Sequence, residues 1–169
     1  VMDETRRLGF DSVNFDLIYG LPYQTKESFD QTVELVAGLK PDRIALYSFA
    51  YVPLLQKHQT KLEQSVFPDN DSKLEIFLTA RQKFLNGGYQ AIAMDHFALT
   101  TDEMAKAFNE RKLYRNFMGY TVKPADEYIG LGVSAIGFVE NTFIQNKKTL
   151  PDYYKALEEG TFPVERGKP

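Results

Sequence analysis

Val13-Asn14-Phe15-Asp16-Leu17-Ile18-Tyr19-Gly20-Leu21-Pro22 and the later stretch Arg43-Ile44-Ala45-Leu46-Tyr47-Ser48-Phe49-Ala50 decide the fold. Both are rich in β-branched and aromatic residues, and the first is bounded by Gly9 and by Gly20-Leu21-Pro22, so both read as strands. Between them Thr25 is placed to cap a helix, with Glu27 in the first turn where the helix dipole favours a carboxylate. Phe29, Val33, Val36 and Leu39 then mark the apolar face of that helix, and Gly38 and Pro41 help to end it. The two strands stand about one βαβ unit apart. Parallel pairing is expected, because parallel neighbours need a crossover of this kind.

Outward from that unit, residues 56–72 are polar and predict a loop or irregular insertion. Leu74, Phe77, Leu78, Phe84 and Leu85 mark a second long helix, stopped by Gly87-Gly88. Strand–helix–strand–helix over the first 88 residues argues an α/β fold with a parallel sheet, open or barrel-like. Residues 89–94 predict a further strand, and 102–111 a short helix capped by Thr101 or Asp102. Residues 133–139 and 142–145 could pair as a hairpin around Glu140-Asn141, and Leu150, Tyr153, Tyr154 and Leu157 give a last helix ended by Gly160. At the other end, residues 1–8 read as the end of a helix with Gly9 as its stop, so a piece of a longer protein is expected.

Composition narrows the chemistry. The chain has no cysteine, which excludes disulfides, thiolate nucleophiles and cysteine-ligated iron–sulfur clusters within it. With only two histidines, His58 and His96, a histidine-only metal site would lack a third ligand. Twenty basic against twenty-three acidic residues, with no Lys/Arg run, give no general attraction to nucleic acid. No apolar run approaches a membrane span. A cytoplasmic protein with no nucleic-acid or membrane partner is the expectation.

Four segments could carry chemistry. In parallel sheets ligands gather beyond the carboxyl ends of the strands, and Asp16 is read as lying toward that end, with Gly20 letting the chain turn close to a ligand. A ligand contact to ribose hydroxyls or an amine, and a structural pair with an Arg or Lys, are both open for Asp16. Met94-Asp95-His96-Phe97-Ala98 follows a predicted strand; it suggests acid–base work or a fixed tautomer, or simply a hydrogen-bonded histidine at a strand end. Neighbours in an extended chain point to opposite faces, so Asp95 and His96 need not touch. Arg115-Asn116-Phe117-Met118-Gly119-Tyr120-Thr121 could place Arg115 on a carboxylate or serve as a structured linker. Gly130-Leu131-Gly132-Val133-Ser134-Ala135-Ile136-Gly137 is rich in small residues that would admit a flat ligand, yet it is neither a P-loop nor a dinucleotide fingerprint. His58, in a polar stretch, reads as solvated.

In their order, Asn14-Phe15-Asp16-Leu17-Ile18-Tyr19-Gly20-Leu21-Pro22, Met94-Asp95-His96-Phe97-Ala98, Arg115-Asn116-Phe117-Met118-Gly119-Tyr120-Thr121 and Gly130-Leu131-Gly132-Val133-Ser134-Ala135-Ile136 resemble the oxygen-independent coproporphyrinogen III oxidase (dehydrogenase) family of radical S-adenosylmethionine enzymes. The resemblance covers essentially the whole chain. It implies the last two βα units of a partial (β/α)6 barrel over residues 1–88 and the start of an α+β C-terminal extension over 89–169. It implies S-adenosylmethionine and a [4Fe–4S] cluster as cofactors, the cluster on a Cys-x3-Cys-x2-Cys loop outside this chain. The implied reaction converts two propionates of coproporphyrinogen III to vinyls through a 5′-deoxyadenosyl radical, giving protoporphyrinogen IX in haem biosynthesis.

The resemblance also implies cofactor contacts at Asp16, Ala50, Ile136 and Phe117. It gives this chain no metal ligand and names no catalytic residue in it. Met118 stands where the family has glutamine, and a thioether donates no hydrogen bond, so the number of S-adenosylmethionine molecules stays open. The porphyrinogen is the implied partner and the electron donor is open. A haem chaperone or anaerobic haem-degrading relative is the alternative within the class. A non-catalytic α/β binding module is the alternative from another.

Overall fold

The computed structural model describes residues 1–116 and 119–169, which form two compact units, Val1–Val122 and Lys123–Pro169. In the first unit α1 (Met2–Arg7) precedes β1 (Asn14–Tyr19), α2 (Lys26–Leu39), β2 (Arg43–Ser48) and α3 (Asn70–Asn86). Then come β3 (Tyr89–Ile92), β4 (His96–Leu99), α4 (Glu103–Asn109) and a small hairpin, β5 (Tyr114–Asn116) with β6 (Gly119–Thr121). The main sheet runs β1-β2-β4-β3. β1 and β2 pair in parallel as expected, with Asp16 opposite Ala45 and Ile18 opposite Tyr47.

The parallel pattern stops there. β4 is antiparallel to both β2 and β3, so the sheet is mixed. The stretch read as following a single strand instead opens a second one, because residues 93–95 make a tight turn and Ile92 pairs with His96. Ala93 takes the left-handed conformation in that turn, at φ 54°. No glycine, asparagine or proline marks the spot, which is why pattern alone predicts one strand over 89–94.

Strand alternation divides the sheet into two faces. Phe15, Leu17 and Tyr19 of β1, with Ile44, Leu46 and Phe97, pack on Phe29, Val33 and Val36 of α2 and on Ile76, Ala80 and Phe84 of α3. Thr25 caps α2 as expected: its hydroxyl accepts from the Ser28 N–H, and the Ser28 hydroxyl accepts from the Thr25 N–H. The helix ends on Lys40 in the left-handed conformation, with Gly38 inside its last turn. The insertion is ordered as two 3-10 turns, Lys57–Lys61 and Gln64–Val66. The Phe67 ring from its end lies 5.7 Å from that of Phe49 and 4.9 Å from that of Tyr51.

The second unit is a three-stranded antiparallel sheet, β7 (Ile136–Val139), β8 (Thr142–Asn146) and β9 (Val164–Lys168), with α5 (Leu150–Glu158) between the last two strands in sequence. Glu140 and Asn141, both at positive φ, form the predicted hairpin turn. By packing, the chain divides at 122/123. The division at 88/89 is of another kind, a barrel part followed by an extension, and it stays a proposal from family architecture. Among the described residues no helix is long and apolar enough to cross a membrane.

Candidate functional site

The sheet face turned away from α2 and α3 gathers the polar groups. Paired residues on adjacent strands share a face, so Asp16, Ala45, His96 and Ile92 form one row across β1, β2, β4 and β3, with Ile18 and Tyr47 in the next. One end of this face is closed by α4 and β6, where Met104, Ala105 and Tyr120 pack with Ile92 and Ala98. Arg43 is tied down at that end. Its guanidinium donates to Asp102 at 2.8 Å and Glu103 at 2.9 Å, while Asp102 also caps α4 by accepting the Met104 N–H.

Asp16 sits third in its six-residue strand rather than at the carboxyl end, and it is exposed. Asn14 Nδ2 donates to its Oδ1 at 2.7 Å, and no Arg or Lys among the described residues pairs with it. Of the two readings open for Asp16, no structural ion pair forms among the described residues. A carboxylate held by a neutral amide on an open face keeps acceptor capacity for a ligand's hydroxyls or amine.

Asp95 and His96 do touch. Asp95 lies in the turn rather than in the strand, so the alternation argument does not apply, and its Oδ1 lies 2.6 Å from His96 Nδ1. The imidazole meets Tyr47 edge-on at 5.9 Å and Tyr120 edge-on at 5.3 Å between ring centroids. Partial burial, aided by the nearby Asp16 and Asp95 carboxylates, raises the Tyr47 hydroxyl above its ordinary pKa and keeps it a protonated donor at neutral pH.

The remaining predicted residues are more scattered. Ala50 is exposed just past β2, five residues beyond Ala45, the partner of Asp16. Its carbonyl accepts from Gln59 Nε2 at 3.1 Å, while Gln59 Oε1 accepts the Val52 N–H at 2.6 Å. Gln59, only 7% exposed, thus fixes the loop that presents Ala50; hidden in a polar stretch, it carries no signal in the sequence. Gly20 turns the chain at φ 81°, and its N–H donates to Gln24 Oε1 at 2.6 Å. Arg115 lies 5.7 Å from the Tyr120 ring centre rather than on a carboxylate, and His58 is exposed. Phe117 and Met118 lie outside the described residues.

Ile136 opens β7 in the second unit, half-buried. The small residues around it serve the chain itself. A Cβ on Gly130 would come within 2.7 Å of Ile136 backbone, and one on Gly137 within 2.9 Å of the Tyr128 carbonyl. Buried Asn146 seals the arrangement by donating to the carbonyls of Gly130 and Gly132. Nearby, Ile129, Leu131, Leu157 and Phe162 border an apolar cleft of about 480 Å³. Among the described residues no cluster of three or more His, Asp or Glu could hold a metal ion.

No family model matches the chain. It is 44% identical over 167 residues to the oxygen-independent coproporphyrinogen III oxidase of Synechocystis, a match covering 99% of this chain and 36% of that protein. The enzyme of the same name from Helicobacter pylori strain J99 is 45% identical over 162 residues, 96% of this chain and 35% of its own. A solved structure of coproporphyrinogen III oxidase from Escherichia coli, described as a radical SAM enzyme, matches with a TM-score of 0.94 at 41% identity. That match covers 99% of this chain and 38% of the other. The chain therefore spans little more than a third of the length of these relatives.

Proposed function

We propose that the chain belongs to the oxygen-independent coproporphyrinogen III oxidase family and forms one wall of the cavity in which such an enzyme turns two propionates of coproporphyrinogen III into vinyls, yielding protoporphyrinogen IX in haem biosynthesis. The observation that carries this reading is 44% identity over 99% of the chain. S-adenosylmethionine and a [4Fe–4S] cluster, when bound, supply one-electron, hydrogen-abstracting chemistry. A chain without cysteine offers no thiolate to the cluster, so its ligands belong to another part of the protein.

Toward S-adenosylmethionine, Asp16 accepts hydrogen bonds from the ribose or the amine. Its exposure, its place on the open face and the lack of a cationic partner among the described residues support that role. Ala50 lines the same site from the loop that Gln59 holds, and the family resemblance extends the cofactor contacts to Ile136 and Phe117. The propionates are ionised at neutral pH, so their loss as CO2 asks these residues to position and shield the substrate rather than to deprotonate it. A cytoplasmic location accords with a cofactor that needs reducing conditions.

The test is the full-length protein carrying this chain, reconstituted anaerobically with iron, sulfide and a reductant. Expected are consumption of S-adenosylmethionine, loss of coproporphyrinogen III and appearance of protoporphyrinogen IX. Cleavage of S-adenosylmethionine with tight haem binding and no decarboxylation would instead identify a haem-handling relative. The 169-residue chain alone should take up no cluster, and a stoichiometric charge-transfer absorption from it would contradict the reading.

A further inference from the structure

The Asp95–His96 pair has a geometry that Asp16 and Ala50 do not explain. An ionised carboxylate only accepts, so the 2.6 Å contact places a proton on His96 Nδ1. In the neutral ring that leaves a lone pair on Nε2, and this atom makes no hydrogen bond to any described residue. The side chain is 14% exposed, on the same row as Asp16 with only the small Ala45 between them. Tyr47 and Tyr120 hold the ring edge-on from two sides, so its plane is set before any ligand arrives. Packing requires none of this: an apolar residue in the row beside Ile92 would fill the same space without an open acceptor.

We propose that His96 is a ligand-contacting residue whose Nε2 accepts a hydrogen bond from an N–H donor of a bound molecule, an amine or a nitrogen heterocycle rather than a carboxylate. The surroundings favour a donor over an anion, since the Asp16 and Asp95 carboxylates both lie near this part of the face. Naming the donor rests on the proposed function. There it is either a pyrrole N–H of the reduced tetrapyrrole or the amine of S-adenosylmethionine, and Asp95 acts as a positioning residue that fixes the tautomer.

Two variants of the full-length protein separate contact from structure. His96→Asn keeps a donor where Nδ1 stood and removes Nε2, whereas His96→Gln keeps a polar atom near the Nε2 position. Anaerobic calorimetry would titrate each with coproporphyrinogen III and, separately, with S-adenosylmethionine. A contact predicts about tenfold weaker binding of one of the two by His96→Asn, largely restored in His96→Gln, with little change in melting temperature. The arm that weakens names the donor. Unchanged affinity in both arms, or a loss that His96→Gln shares along with a lowered melting temperature, overturns the proposal and leaves the proposed function standing. Failure of the wild-type protein to bind either molecule overturns the proposed function and this inference with it. Independently of any ligand, nitrogen-15 shifts should show the proton on Nδ1; a proton on Nε2 of the neutral ring would also overturn it.

Discussion

The two faces of the four-stranded sheet are built from the same strands by the same alternation, yet they do opposite things. On the helix side Phe15, Leu17, Ile44, Leu46 and Phe97 meet an apolar layer, and the Tyr89 hydroxyl that reaches into it is satisfied by the Pro41 carbonyl at 2.7 Å. On the other side Asp16 and Tyr47 stand exposed, and His96 Nε2, between two rings, makes no hydrogen bond to a described residue. One residue of offset decides which of these a side chain joins. Stability is therefore concentrated on one face, the proposed ligand contacts lie on the other, and substitutions should separate the two.

The largest effect belongs to the helix side. Phe84 has no exposed surface and touches the rings of Tyr89 and Phe97, so Phe84→Ala should cost about 3–5 kcal/mol in urea unfolding. Tyr89→Phe keeps the ring but orphans the buried Pro41 carbonyl, an expected loss of about 1–3 kcal/mol. The same tyrosine carries a pH signature. Burial, reinforced by Asp42, pushes its hydroxyl up to about 12. The unfolded chain therefore gives up this proton first, and stability should fall as pH rises from about 10 toward 12. That slope should shrink in Tyr89→Phe; an unchanged slope would place its origin elsewhere. Thr25→Ala removes the capping hydroxyl of α2 and should cost about 1 kcal/mol by the same unfolding measurement. Each of these changes acts behind the sheet and should leave ligand affinity on the open face intact at temperatures where the variant is folded.

Local pattern reaches the helix-side face almost completely. The alternating Phe15, Leu17 and Tyr19 of β1, the Thr25 cap and the 3.6-residue spacing of Phe29, Val33 and Val36 each agree with the packing they produce. What lies beyond local pattern is tertiary. The turn at Ala93 uses a left-handed residue without a glycine, so β4 and its antiparallel pairing do not announce themselves. β9 reads Val-Glu-Arg-Gly-Lys, exposed throughout, and exists because β8 offers it a partner. The site divides in the same way. Asp16 stands out in a strand motif, whereas the contact of Asp95 with His96 depends on that unmarked turn, and the brace from Gln59 to Ala50 joins residues nine apart through an irregular loop.

The central claim is that the open face serves a ligand, and Asp16→Asn in the full-length protein tests it most directly. The carboxylate is exposed and accepts a hydrogen bond from a neutral amide, so the melting temperature should hold, with stability changing by no more than about 0.5 kcal/mol. Loss of a charge-assisted hydrogen bond should weaken S-adenosylmethionine binding about ten- to a hundredfold. Unchanged affinity together with a sharply lowered melting temperature would contradict the account and make Asp16 a structural residue.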